Sequence, residues 1–191
     1  MIAAERSMLV LLAAGRSTRF GDVDKLEQAF LGRPLAMHVV TALEAVPFMT
    51  RVAIVSGTTL DFAGHGYAVI DNRAPESGMS ASVKLGIKAA RDAGAAAVVI
   101  ALADMPRVTA THIFRLFDAA EGADAVVASS DGRTPSPPAL FGAGRFRALA
   151  EAEGDAGGRA LIRAGFHVVT SPAELIDIDT PDDLARLRAL V

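Results

Sequence analysis

Apolar runs of strand length alternate with longer helical patterns along almost the whole chain, and few folds accommodate that alternation. Residues 8–13, 51–56, 67–70, 96–102, 125–128, 138–141 and 167–169 read as strands. Several are rich in Val and Ile without polar interruption, as strands covered on both faces are. Residues 34–45, 80–93, 110–120, 144–152, 158–164 and 181–190 read as helices. The last begins with a clear start signal: Thr180, Pro181, then Asp182 and Asp183. The pattern predicts an α/β chain with an open, mostly parallel sheet and helices on both faces. Ligands of such sheets bind at the carboxyl ends of the strands. Residues 129–138, SSDGRTPSPP, read as a turn-rich loop within one domain spanning 1–191.

Composition narrows the function classes. A hydrophobic fraction of 51% argues for a packed chain and against disorder. A net charge of −3 gives no electrostatic footprint for nucleic acid or an anionic membrane. The absence of cysteine excludes disulfides, thiolate nucleophiles and Cys-based metal sites, and is compatible with the cytoplasm. The longest unbroken apolar run, residues 95–103, is far short of the ~18 residues of a membrane span. Arg6 before a short apolar stretch faintly resembles a secretory signal, but cleavage there would destroy the strand–loop motif described next.

That motif is LLAAGRSTRFGDVDK, residues 11–25. A buried strand ends at Gly15 and gives way to a polar loop with Arg16, Arg19, Gly21 and Lys25. Glycine lets the backbone approach a ligand, exposed N–H groups face it, and Arg and Lys neutralise phosphates. Neither the Gly-Lys-Ser/Thr of a Walker loop nor G-x-G-x-x-G is present. Taken alone, Arg19 and Lys25 fit a solvated basic loop slightly better, the usual fate of surface Arg and Lys.

Further segments could carry chemistry. In ALADMP, residues 101–106, an apolar strand ends in Asp104, and Pro106 stops further pairing. A carboxylate there suits Mg²⁺, which one or two carboxylates and phosphate oxygens usually hold; a turn Asp before Pro is the bland alternative. In IDIDTPDDL, residues 176–184, most acids read as helix-start residues, whereas Asp179 lies beyond the cap and could face the same metal. Gly78, Ser80 and Ser82 form a small-residue loop able to approach a base or ribose, or an ordinary Ser-capped helix start. His38, His65, His112 and His167 lack ligand spacing, and no G-x-S-x-G is present.

Leu12-Ala13-Ala14-Gly15 with Arg19, Gly21 and Lys25 resembles the signature loop of nucleotidyltransferases with a Rossmann-like core. Asp104-Met105-Pro106, the segment around Asp179, and Gly78–Ser82 resemble that superfamily's metal-binding and nucleotide-binding segments. Pro137-Pro138-Ala139-Leu140-Phe141 and Gly154-Asp155-Ala156-Gly157-Gly158-Arg159 resemble two segments of molybdenum cofactor cytidylyltransferases, although Ser136-Pro137 replaces the expected Gly-His. The resemblance implies a single-domain, three-layer α/β/α fold with a mixed, mostly parallel sheet. It implies a cytidylyltransferase that joins CMP from CTP to the phosphate of molybdopterin and releases pyrophosphate, with Mg²⁺ as cofactor and transient contact with a molybdoenzyme. By this resemblance Arg19, Lys25 and Asp104 are catalytic. Leu12, Ala13, Ala14, Gly15, Arg19, Lys25, Gly78, Ser80 and Ser82 hold the nucleotide. Pro138 and Arg159 hold the acceptor, and Asp104 and Asp179 hold the metal. Ala14 suits a pyrimidine, since guanylyltransferase relatives usually have Gly there. Guanylyl transfer to molybdopterin, cytidylyl transfer to a sugar phosphate or methylerythritol phosphate, and a non-catalytic nucleotide-binding module remain alternatives. The acceptor is expected to enter beside residues 136–141 and 154–159.

Overall fold

The run SMLVLLA forms β1 (Ser7–Ala13) at the centre of a seven-stranded sheet, with every residue buried. Its side chains divide between the two faces as the pleat requires. Leu9, Leu11 and Ala13 enter one core, and Met8, Val10 and Leu12 enter the other. A strand wanted on both faces has no solvent side, hence its lack of polar alternation. The structure, a computed structural model, describes residues 1–15, 17–21, 23–152 and 156–189. Arg16, Gly154 and Asp155, singled out in the sequence, lie outside the described residues.

A two-residue hairpin, β2 (Ala29–Phe30) and β3 (Arg33–Pro34), follows the basic loop and was not expected from the sequence. The chain continues through α1 (Leu35–Leu43), β4 (Thr50–Val55), β5 (Ala68–Asp71), α2 (Met79–Asp92), β6 (Ala97–Leu102) and α3 (Ala110–Asp118). It then forms β7 (Val126–Ser130), β8 (Pro135–Gly142), α4 (Phe146–Glu151), α5 (Ala156–Ala164), β9 (Phe166–Val169) and α6 (Pro181–Arg188). The sheet order is β5-β4-β1-β6-β8-β7-β9. Only β8 runs against its neighbours; β1 pairs in parallel with β4 and β6, and β7 with β9. The three-layer, mostly parallel architecture expected from the sequence is present. The supposed loop at 129–138 is a correction. Ser129 and Ser130 finish β7, Pro135 opens β8, and the turn between them is held by Asp131, whose carboxylate accepts from the Arg133 and Thr134 N–H groups at 2.8 and 2.7 Å.

Helices α1 and α3 pack on one face, and α2, α4 and α5 on the other. Gly86 lets α2 lie close on β1: a Cβ there would meet Val10 Cγ1 at 2.4 Å. Helix α6 closes a smaller cluster with Phe30, Leu35 and Ile178. No helix among the described residues is long and apolar enough to cross a membrane. The sheet order reverses at β1, whose neighbours β4 and β6 follow it on opposite sides, and a crevice opens beyond the strand ends there.

Candidate active site

Three segments reach this crevice. The basic loop leaves β1, Asp104 follows β6, and Asp179 precedes α6. Backbone bonds fix their relative placement. The Ala103 N–H donates to the Leu12 carbonyl at 3.0 Å, and the Ile178 N–H to the Asp104 carbonyl at 3.0 Å. Asp179 is held by the start of α6, where Thr180 and Asp183 form a reciprocal capping box. The Asp183 carboxylate also accepts from the Asp179 N–H at 3.3 Å. Asp183 is therefore a cap, as the helix-start reading held. In the basic loop, Ser17 adopts a left-handed backbone (φ 47°) and its hydroxyl accepts from the Lys25 N–H at 3.2 Å. Asp24 accepts from the Ser17 hydroxyl at 3.2 Å and from the Leu26 N–H at 2.9 Å. This local bonding turns the Lys25 side chain inward.

Residues 79 and 154 positions apart in sequence then meet at one ammonium. Lys25 Nζ lies 2.6 Å from Asp104 Oδ2 and 3.2 Å from Asp179 Oδ1. Arg19 Nη1 donates to Asp179 Oδ2 at 3.0 Å from the solvent side. Burial opposes the charge on Lys25, but Asp104 and Asp179 outweigh it, so its pKa lies above the ordinary lysine value. Burial drives the Asp104 carboxyl above the usual carboxylate range. Lys25 pulls against this, while Asp177 and Asp179 push with it. Both members of the pair thus shift upward, because burial and two further acids outweigh one ammonium at Asp104. Asp104 Oδ1 is buried without a hydrogen-bond partner among the described residues. Three acids against two cations, and an orphaned buried carboxylate oxygen, fit a divalent cation chemically. Asp104 and Asp179 could supply its protein oxygens.

Two cavities flank the cluster. The first, about 260 Å³, is lined by Leu12, Ala13, Ala14, Gly15, Lys25, Gly78, Ser82 and Asp104. Eight of the residues predicted for the nucleotide and catalysis are therefore brought together. Helix α2 starts at this cavity with Gly78 as N-cap, at φ 80° and without a side-chain cap. The Ser-capped start considered from the sequence is corrected: no serine caps α2. Ser82 is buried and its hydroxyl accepts from Asn72 Nδ2 at 3.0 Å; Asn72 also accepts from the Ala74 N–H at 3.0 Å. Asn72 thus braces this wall, a role with no sequence signal beyond an Asn in a loop.

The second cavity, about 450 Å³, shares Asp104 and Met79 with the first and extends towards β8 and α5. It is lined by Ser80, Arg159 and Asp179, so Ser80 faces this cavity rather than the one expected. Pro138 is a second correction. It is buried in β8 and its carbonyl accepts from the Ser129 hydroxyl at 2.7 Å, while Thr134 to Pro137 line the cavity. The β7–β8 pairing runs further than the sequence indicated and turns Pro138 inward. Asp177 and Arg163 also line this cavity, and sequence reasoning missed both as site residues. Arg163 follows Arg159 by one helical turn, a spacing that could have revealed it.

Comparison with known proteins identifies the family. A molybdenum cofactor guanylyltransferase of Cereibacter sphaeroides is 34% identical over 197 residues, covering 95% of both chains. The purine catabolism protein PucB of Bacillus subtilis (strain 168) is 30% identical over 198 residues, covering 94% of both. The crystal structure of a Mycobacterium tuberculosis Rv0371c homologue from Mycobacterium sp. strain JC1 superimposes with a TM-score of 0.80 at 28% identity, over 97% of this chain and 96% of that one. The segment that matches a family model, residues 9–169, begins in the central strand and contains the basic loop, Asp104 and the whole lining of the first cavity, while Asp177 and Asp179 of the second lie beyond it. With this fold and these strand-end residues, the chain belongs to the MobA-like NTP transferase domain family and is a nucleotidyltransferase of that kind.

Proposed function

We propose that the protein transfers a nucleotidyl group from an NTP to the phosphate of a molybdopterin-type acceptor. The observation that carries this reading is the convergence of Lys25 and Arg19 on Asp104 and Asp179, beside a cavity walled by Leu12–Gly15. An acceptor phosphate oxygen bonds to the α-phosphorus, the bond to the bridging oxygen of the β-phosphate breaks, and pyrophosphate leaves with that electron pair. The acceptor is already anionic, so no general base is needed, and catalysis reduces to positioning and charge neutralisation. Lys25 and Arg19 turn from the carboxylates to the phosphates and balance the charge that grows as pyrophosphate departs. Mg²⁺ held by Asp104 and Asp179 supplies further neutralisation of the phosphates when bound. The second cavity takes the acceptor, with Arg159 at its wall. Supply of NTP places such a reaction in the cytoplasm, and the product passes to a molybdoenzyme by transient contact.

CTP is the preferred nucleotide in this reading. The Ala14 methyl lines the first cavity and takes space that a glycine would leave to a purine. Guanylyl transfer is the second reading, favoured by the name of the 34% identical relative. PucB, named for purine catabolism, is similar to nearly the same degree, so overall identity does not select the substrates. Pyrophosphate release from CTP and GTP, each with and without molybdopterin, tests both readings. Release from CTP only in the presence of acceptor supports the first, and the same pattern with GTP supports the second.

A further inference from the structure

The second cavity has an apolar floor of Val83, Ile100, Phe141, Leu149 and Ile162, and its mouth carries two guanidinium groups. Arg159 and Arg163 occupy positions i and i+4 of α5, so both project from one side of that helix. Both are exposed, and among the described residues neither has a carboxylate or carbonyl partner. The arginines just before them are paired: Arg145 approaches Asp124 at 3.6 Å and Arg147 approaches Glu151 at 3.0 Å. The hydroxyl-bearing Ser136 lines the same cavity from β8 and Thr134 from the turn before it, and the cavity continues to Asp104 and Asp179.

We infer that Arg163 is a second acceptor-binding residue, forming with Arg159 a two-guanidinium clamp for a phosphomonoester dianion. The inference rests on the proposed function only for the identity of the acceptor. One guanidinium suffices for a singly charged group, whereas two forks on one helix face match the charge and the several oxygens of a terminal phosphate. The apolar floor behind them takes the body of the acceptor. Arg163 thereby selects acceptors that end in phosphate over those that present a hydroxyl or a carboxylate.

The test titrates inorganic phosphate calorimetrically into protein saturated with a non-hydrolysable CTP analogue, which keeps the nucleotide site filled. Arg159→Ala and Arg163→Ala are each expected to weaken phosphate binding about tenfold, with Arg163→Lys intermediate. Melting temperatures should match the wild type, because neither side chain has a carboxylate or carbonyl partner among the described residues. With molybdopterin as acceptor, Arg163→Ala should raise the acceptor KM about tenfold and leave the nucleotide KM and kcat nearly unchanged. No phosphate binding by the wild type, or an affinity unaltered in Arg163→Ala, overturns the clamp. Weakened phosphate binding without turnover of molybdopterin upholds the clamp and overturns the acceptor named above.

Discussion

Replacing Lys25 by Met separates the two roles of the strand-end cluster. The side chains of Lys25 and Asp104 are only 10% and 16% exposed, and among the described residues their 2.6 Å contact supplies the one partner of a carboxylate whose other oxygen has none. Met keeps most of the volume and removes the charge, leaving Asp104 buried and unpaired. Breaking a buried ion pair from one side costs roughly 3–5 kcal/mol. Residual exposure, and the ability of Asp104 to take up a proton, place the loss near the lower end, about 3 kcal/mol. For a chain of this size that lowers Tm by roughly 6–12 °C. A divalent cation would then do what the ammonium did. In Lys25→Met, Mg²⁺ or Mn²⁺ at about 100 times its Kd should return about 2.7 kcal/mol, most of the loss. In nucleotide-free wild type the same metal must displace Lys25 from both carboxylates and should shift Tm much less. Differential scanning calorimetry with and without metal reads both effects. An unchanged Tm in Lys25→Met, or an equal metal response in the two proteins, would refute the reasoning. The double variant Lys25→Met/Asp104→Asn, which leaves only the half-exposed Asp179 paired with Arg19, should regain stability without metal.

Arg19→Ala should lower kcat/KM by on the order of 100-fold while barely changing Tm, since its bond to Asp179 is solvent-exposed; steady-state kinetics and melting curves read the two effects. Gly86→Ala gains about 1 kcal/mol of helix propensity but drives its Cβ into Val10, for a net loss of up to about 2 kcal/mol. Calorimetry should show Val10→Ala/Gly86→Ala less destabilised than the sum of the single variants, and strict additivity would show that the two residues do not clash. Burial, reinforced by Arg115 and opposed by Glu174, holds the His112 pKa below its ordinary value. The unfolded chain therefore binds the extra proton first, and stability is full above about pH 6.5 and falls below it. Urea melts from pH 7.5 to 5 should show a shallower fall in His112→Gln; an identical slope would assign the effect to other groups.

The layer order and the parallel centre of the sheet were legible because β1, β4 and β6 are covered on both faces and leave long uninterrupted apolar runs. The turn of 131–134 was overextended because Ser and Pro at the ends of β7 and β8 carry turn propensity, while their burial comes from pairing across the sheet. Ser129 shows this. Its hydroxyl donates to the Pro138 carbonyl and so accepts from His112 Nε2–H at 2.7 Å, a partnership no local pattern announces. At the site, Asp104 stood out as a single acid ending an apolar run, and Lys25 and Asp179 through the resemblance of their segments to a known family, but their meeting at one nitrogen depends on sheet order. Asn72 stands in a turn-forming stretch, and Asp177 and Arg163 acquire a place at the site only from the cavity that the fold builds around them.

The most direct test of the transfer centre is pyrophosphate release from CTP and GTP with molybdopterin as acceptor, comparing wild type with Asp104→Asn. The substitution preserves the shape of the side chain and removes one charge. The wild type should release one pyrophosphate per dinucleotide formed, only when acceptor and divalent metal are present. Asp104→Asn should remain folded and lose several kcal/mol of transition-state stabilisation, on the order of a 1,000-fold fall in rate. Near-normal, metal-dependent release by the folded variant would contradict the assignment of Asp104 and the account built on it.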